Sequence, residues 1–224
     1  MEELPRRLWH IGGGLSLPIA GLLVPQQIFL PALISLTTAF LLVEAIRLRF
    51  PGVNRRLVTC FQAVLREREA STLTASAYLL IAACSVFVLY DKSIAAIALT
   101  FVALGDPVAG MVGGLKEYPP HLTPYLARRR KKKSLVHPSS YLARGVWGRR
   151  GIRYKSLRGS CACLVACLVA GAILAAITHV ALWVVVVGAI CATLVESLSL
   201  WLNDNLTIPL VAGGVMMLVK LFCL

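Results

Sequence analysis

The stretch SCACLVACLVAGAILAAITHVALWVVVVGAICATLV, Ser160–Val195, runs 36 residues without an acidic residue, a lysine or an arginine. About 20 residues at 1.5 Å rise each cross a hydrocarbon core, so this run is long enough for two helical spans. Thr178-His179 in its middle offers the polar hairpin between them. Working outward, further charge-free windows recur at Leu8–Val24, Ile28–Val43, Leu73–Tyr90 and Leu206–Val219. The expected fold class is all-α: a polytopic integral membrane protein of about seven transmembrane helices. The spans fall near residues 8–24, 28–46, 73–90, 93–115, 160–177, 180–202 and 206–224, and the chain 1–224 reads as one transmembrane domain. A 58% hydrophobic composition and a mean hydropathy of +0.78 exclude a soluble globular domain. The amino terminus reads as the start of a span rather than a cleaved leader, because its apolar stretch runs on without a clear small-residue cleavage site.

Charge supplies the orientation. Of 23 basic residues, thirteen lie in Lys116–Arg158, six in Arg47–Arg68 and two at Arg6-Arg7; Lys92 and Lys220 complete the set. The positive-inside rule then puts the amino terminus, the 47–72 segment and a large 116–158 loop in the cytoplasm, with the carboxyl terminus outside. The expected setting is an integral membrane, a prokaryotic inner membrane or an ER or plastid membrane in a eukaryote. Within the loop, Arg128–Lys133 is a run of six basic residues suited to anionic lipid headgroups. No aromatic interleaving or recognition fold accompanies it, so nucleic acid is not expected as a partner.

Threaded through seven spans, most polar side chains collect on the cytoplasmic face. Arg7 and His10 open the first span; Glu44 and Arg47 close the second; Glu67, Arg68 and Glu69 precede the third. Lys155 and Ser156 precede the fifth, and Asn203-Asp204-Asn205 joins the sixth to the seventh. The outer face has Gln26-Gln27, Asp91-Lys92 and His179. The topology rule accounts for lysine and arginine but is indifferent to Glu, Asp and Asn.

Three segments carry candidate chemistry. Glu196 lies seven residues before Asn203, so on one helix the two share a face about two turns apart, with the carboxylate roughly 10 Å inside the boundary. A charge in a membrane helix costs roughly 2.5–3.5 kcal/mol or more, and so marks a site or a cavity. Gly105-Asp106-Pro107 interrupts the fourth span. Asp before Pro suits an N-cap followed by a first helical turn, which predicts a broken helix, buried in protein or lining a wet cavity. Gly110, Gly113 and Gly114 follow at helical spacing. Finally, Gly148–Ser160 interleaves glycine, basic residues and hydroxyls just before a helix, the composition that polyphosphate requires. No GxxxxGK[ST] motif is present. The seven cysteines form no CxxC pair and sit mostly within apolar spans, as small buried residues.

In their order, Arg7…His10-Ile-Gly-Gly-Gly14, Gly105-Asp106-Pro-Val-Ala109-Gly110, Lys155-Ser156-Leu-Arg-Gly159-Ser160 and Glu196…Asp204-Asn205-Leu206-Thr207-Ile208-Pro209 resemble the CTP-dependent lipid kinases. That family includes dolichol kinase, phytol kinase and CTP-dependent diacylglycerol kinase, and is related to the phosphatidate cytidylyltransferases. The resemblance covers nearly the whole chain apart from about thirty residues of the basic loop. Asn203 stands where the family often has a further aspartate. The basic insertion separates segments that the family usually keeps close.

The resemblance implies transfer of the γ-phosphoryl group of CTP to the hydroxyl of a membrane lipid alcohol, a polyprenol, phytol or diacylglycerol. It implies Mg²⁺ or another divalent cation beside the nucleotide. Asp106 and Asp204 are the metal or base candidates, with Glu196 a further carboxylate and Asn205 an orienting group. Arg150, Arg153, Lys155, Ser156 and Gly159 are the nucleotide-binding candidates. Arg7, His10, Glu44 and Arg47 form a supporting network. Cytidylyl transfer to a lipid phosphate would use the same groups; a small transporter is a further alternative, although no internal repeat is visible.

Overall fold

A computed structural model describes residues 3–61, 65, 67–113, 156–198 and 203–223. Eight α-helices occur among them: α1 (Glu3–Leu23), α2 (Gln26–Arg49), α3 (Pro51–Cys60), α4 (Ala75–Leu89), α5 (Lys92–Gly113), α6 (Leu157–Thr178), α7 (Leu182–Ser197) and α8 (Asp204–Cys223). A 3₁₀ turn at Glu67–Ala70 precedes α4. Most of the basic 116–158 loop lies outside the described residues.

Seven of these helices fall where spans are expected. Four of them, α2, α5, α6 and the Asp204–Phe222 part of α8, are long and apolar enough to cross a membrane. The apolar helices α4 and α7 are shorter, at 15 and 16 residues. α3 was not foreseen. Its sequence signal is Pro51 at the first helical position, where the missing N–H costs nothing.

α5 is the axis of the bundle. Every residue from Ile94 to Ala103 is buried, as expected of a helix that is apolar all round. The helices around it each have two faces. On α6, Cys163, Cys167, Gly171 and Ala175 are buried, while Val165, Val169, Ile173 and Ile177 are more than half exposed. An apolar stripe of that kind, repeated at Ile19, Leu42 and Leu221, suits lipid rather than water.

Two expectations about helix ends fail. The fourth segment is not broken: α5 continues through Gly105-Asp106-Pro107. Proline removes one intrahelical bond, but tight packing of α5 by its neighbours holds the helix together across the gap. Nor do Glu196 and Asn203 share a helix. α7 ends at Ser197, with the Leu198 N–H bonded to the Leu194 carbonyl, and the Ser197 hydroxyl donates to that same carbonyl at 2.8 Å. Glu196 is therefore in the last turn of α7, where it is nonetheless 2% exposed.

The α6–α7 hairpin turns where expected. His179 takes the left-handed conformation, φ 56°, and ends α6. At that end of the bundle Lys92 donates to the Val24 carbonyl at 3.1 Å, Tyr90 Oη donates to the Leu210 carbonyl at 2.8 Å, and Lys220 pairs with Asp91.

Glycines in α1 separate tight from open packing. A Cβ on Gly21 would sit 2.2 Å from the buried Phe87 ring, whereas one on Gly12 would meet nothing within 4 Å. Gly21→Ala is expected to destabilise the protein by about 1–3 kcal/mol through overpacking. Gly12→Ala is expected to be neutral or to stabilise by up to about 1 kcal/mol through helix propensity. Thermal unfolding of the two variants in detergent measures the contrast.

Candidate functional site

The opposite end of the bundle gathers the polar groups. There α1, α4, α6 and α8 begin, and α2, α5 and α7 finish, as the cross-helix contacts below show. Its firmest part is the buried pair Glu44–Arg47, at 4% and 2% exposure. Arg47 Nε and Nη2 donate to the two Glu44 carboxylate oxygens at 3.1 and 2.8 Å. Nη1 donates to Asn54 Oδ1 and to the Glu69 carbonyl, both at 2.9 Å. Nη2 also donates to the Thr72 carbonyl at 2.9 Å. All five guanidinium donors are thereby engaged within the fold. Arg47 has none left for a phosphate, and its role is to position other groups.

From this pair the network crosses the bundle. Glu44 Oε2 also accepts the Thr74 backbone N–H at 3.0 Å. Thr74 caps α4 by accepting the Ala77 N–H, and Asn205 Nδ2 donates to the Ala75 carbonyl at 2.9 Å. Asn54 Nδ2 closes the far side onto the Ala70 carbonyl at 2.7 Å. The start of α4 is thus held by Glu44 from α2 and by the buried Asn205 from α8.

Asn203 has a local role. Its Oδ1 accepts the Asn205 N–H at 3.1 Å, and its carbonyl accepts the Leu206 and Thr207 N–H groups. It is the N-cap of α8, a position where Asn and Asp serve equally. Asp204 follows in the first turn of α8, where a carboxylate is favoured by the helix dipole.

A buried pair of cysteines lies on α6. Cys163 on α6 is buried, lies within electrostatic reach of both Asp106 on α5 and Glu196 on α7, and is approached by the Thr193 hydroxyl at 3.9 Å. Cys167, one turn along, directs its thiol at the Phe101 carbonyl at 3.7 Å. Gly105 lets the helices come this close: a Cβ there would stand 2.9 Å from Cys163 Sγ and 3.0 Å from Cys167 Sγ. Cys60, Cys84, Cys161, Cys163, Cys167 and Cys191 are free thiols.

Asp106, Gly110 and Gly113 are spaced i, i+4 and i+7, one stripe of α5. Along it, the Arg7 guanidinium rests 3.7 Å from the Cβ position of Gly110, and Gly113 meets Ser156. Ser156 is the N-cap of α6, its Oγ accepting the Gly159 N–H at 3.2 Å. Gly159 is buried against α5, where a Cβ would stand 2.9 Å from the Ala109 carbonyl. Of the expected nucleotide-binding residues, Ser156 and Gly159 therefore have structural tasks at the start of α6. Arg150, Arg153 and Lys155 lie outside the described residues. His10 is half-buried on α1, one turn from Arg7.

The structure brings Arg7 onto the α5 stripe that carries Asp106, and Asn205 onto the Glu44–Arg47 network. Among the described residues no three His, Cys, Asp or Glu side chains converge as a metal site. Cys163 and Cys167 are buried, as the sequence suggests for small residues of an apolar span; Thr193 was not singled out. Comparison of the chain with family models, with curated proteins and with solved structures finds no match in any of the three.

Two variants separate positioning from capping. Arg47→Ala leaves Glu44 buried and uncompensated and is expected to cost about 3–5 kcal/mol. Asn203→Ala is expected to cost about 1 kcal/mol, and Asn203→Asp close to nothing, because aspartate preserves the cap. Denaturation midpoints in detergent rank the three.

Proposed function

We propose that this protein is an integral membrane kinase that transfers the γ-phosphoryl group of CTP to the hydroxyl of a lipid alcohol. The observation that carries the proposal is that Asp106 on α5 and the buried Glu196 on α7 both belong to the polar end of an apolar bundle, with the Arg7 guanidinium beside the same stripe of α5. Two carboxylates at such a place need a task, and phosphoryl transfer supplies one. Arg7 rests beside Gly110 and the start of α6 packs on Gly113, along the stripe of α5 that carries Asp106; in this reading they supply positive charge and a helix N-terminus to the phosphates.

In this proposal α1, α2 and α4–α8 are seven spans, and the Asp106 end faces the cytoplasm. The basic loop, with Arg150, Arg153 and Lys155, neutralises the nucleotide phosphates and touches anionic headgroups. Asp106 and Asp204 would hold Mg²⁺, which when bound draws charge from the β- and γ-phosphates. The lipid hydroxyl oxygen forms the new bond to the γ-phosphorus, the bond from that phosphorus to the β,γ-bridging oxygen breaks, and CDP leaves. The hydroxyl proton passes to a carboxylate, Asp106 or Glu196. Arg7 stabilises the charge spread over the transferring group. Asn205, anchored on Ala75, keeps Asp204 in place at the start of α8.

Purified protein offered a panel of lipid alcohols, each nucleoside triphosphate and Mg²⁺ tests the proposal. Phosphorylated lipid is expected with CTP. Asp106→Asn and Asp204→Asn are each expected to lower the rate about 100-fold or more while unfolding at the wild-type temperature. Absence of lipid phosphate from every combination, with folded protein, contradicts it.

A further inference from the structure

α3 follows α2 through a bend. Phe50 is extended, φ −113° and ψ 103°, so α3 does not prolong the axis of α2. One side of the helix is tied down: Asn54 Oδ1 accepts from Arg47, Asn54 Nδ2 donates to the Ala70 carbonyl, and Val58 one turn on is half-buried. No residue of α3 is buried, although Val53, Leu57, Val58 and Cys60 are apolar. A helix of this kind, buried in nothing of its own protein, has a second surface to meet.

Its side chains sort into two strips. Phe50, Val53, Leu57 and Phe61 follow one another by three or four residues along one side, and Phe50, Val53 and Phe61 are 55%, 39% and 50% exposed. Gly52, Arg55 and Thr59 take the opposite side and are exposed. Arg56 stands on the border, three residues from Val53 and four from Cys60. Arg49 holds its guanidinium 5.9 Å from the centre of the Phe50 ring. The apolar strip prolongs the lipid-facing surface of α2, where Leu42 and Ile46 precede Phe50 at steps of four and are about half exposed.

Charge names the neighbour. From Ala45 to Phe61 the chain has four arginines and no acidic residue. Arg47 is engaged with Glu44, whereas Arg49, Arg55 and Arg56 form no ion pair among the described residues. Apolar side chains at the end of a membrane span, bordered by arginines without acidic partners, match the level where acyl chains meet phosphate headgroups.

We propose that α3 is an interfacial helix that seats Phe50, Val53 and Phe61 among acyl chains and binds the phosphate of anionic lipid headgroups through Arg49 and Arg56. This site is distinct from the Arg128–Lys133 run and does not depend on the phosphotransfer reading. Because Asn54 joins α3 to Arg47 and to the turn before α4, lipid bound there stabilises the polar end of the bundle by mass action.

The test uses the full chain in nanodiscs of phosphatidylcholine, alone or with a third of it replaced by phosphatidylglycerol. A trace of either lipid carries a diazirine beside its headgroup. Irradiation is expected to label the segment 49–61 about fivefold more with the phosphatidylglycerol probe than with the phosphatidylcholine probe. Arg49→Gln with Arg56→Gln is expected to lower that label about tenfold, and the same pair changed to lysine to keep it. Arg55→Gln, on the side away from the strip, is expected to keep most of it. Label on the basic loop is expected to be the same in every variant. Amide exchange of 49–61 needs no variant, and phosphatidylglycerol is expected to slow it about tenfold in the wild-type chain. Equal labelling by the two lipids, label indifferent to Arg49 and Arg56, equal loss on Arg55→Gln, or exchange unchanged by phosphatidylglycerol overturns the proposal. Crosslinks joining α3 of two chains in place of lipid label would make it an interface between copies, and overturn it too.

Discussion

The buried Glu44–Arg47 pair is the constraint on which the polar end of this bundle depends. Burying a carboxylate and a guanidinium is costly, and the cost is met only when geometry is good and every donor is engaged. Here the pair is bidentate and the remaining guanidinium donors hold Asn54 and the carbonyls of Glu69 and Thr72. That single side chain gathers the end of α2, the helix α3 and the turn before α4. Lysine, with three donors on a flexible stem, could not replace it. What the pair supplies is shape: α4 starts at one place, and Asn205 finds the Ala75 carbonyl there.

A second constraint is closeness. α5 touches α1 and α6 through Gly14, Gly105, Gly113 and Gly159, at separations a methyl group would violate. In a membrane, packing rather than the hydrophobic effect joins helices, and small residues maximise it. The closeness has a chemical consequence. Gly105 admits Cys163 and Cys167, and with them α6 reaches the turn that carries Asp106 and comes within range of Glu196 on α7. The same motif that reads as a helix break in the sequence is in the structure a place where helices converge.

Much of the architecture was legible. Apolar windows foretold the helices at the expected places, and Thr178-His179 foretold the hairpin, because hydrophobic runs and polar turns are local signals. Glu44 and Arg47 were expected at the inner end of the second span, while the bidentate pair between them comes from the fold. What was not legible depends on partners remote in sequence. Asp106-Pro107 carries a strong local signal for a helix start, yet packing around α5 overrides it. Glu196 and Asn203 fit one helical face by arithmetic, but α7 stops at Ser197. Asn203, an apparent departure from a metal-binding pattern, is a helix cap, which the sequence Asn-Asp-Asn before an apolar run already permitted. The cysteines read as small buried residues, and Cys163 and Cys167 are buried; their packing against Gly105 of α5 joins helices remote in sequence.

The central claim is that the γ-phosphoryl group of CTP, and not its cytidylyl group, ends on lipid. Parallel reactions with CTP labelled at the γ or at the α phosphorus, each with an isoprenoid alcohol and Mg²⁺, decide it most directly. The account predicts γ label in the lipid phase and α label remaining in soluble CDP. Label from the α position in lipid would contradict it.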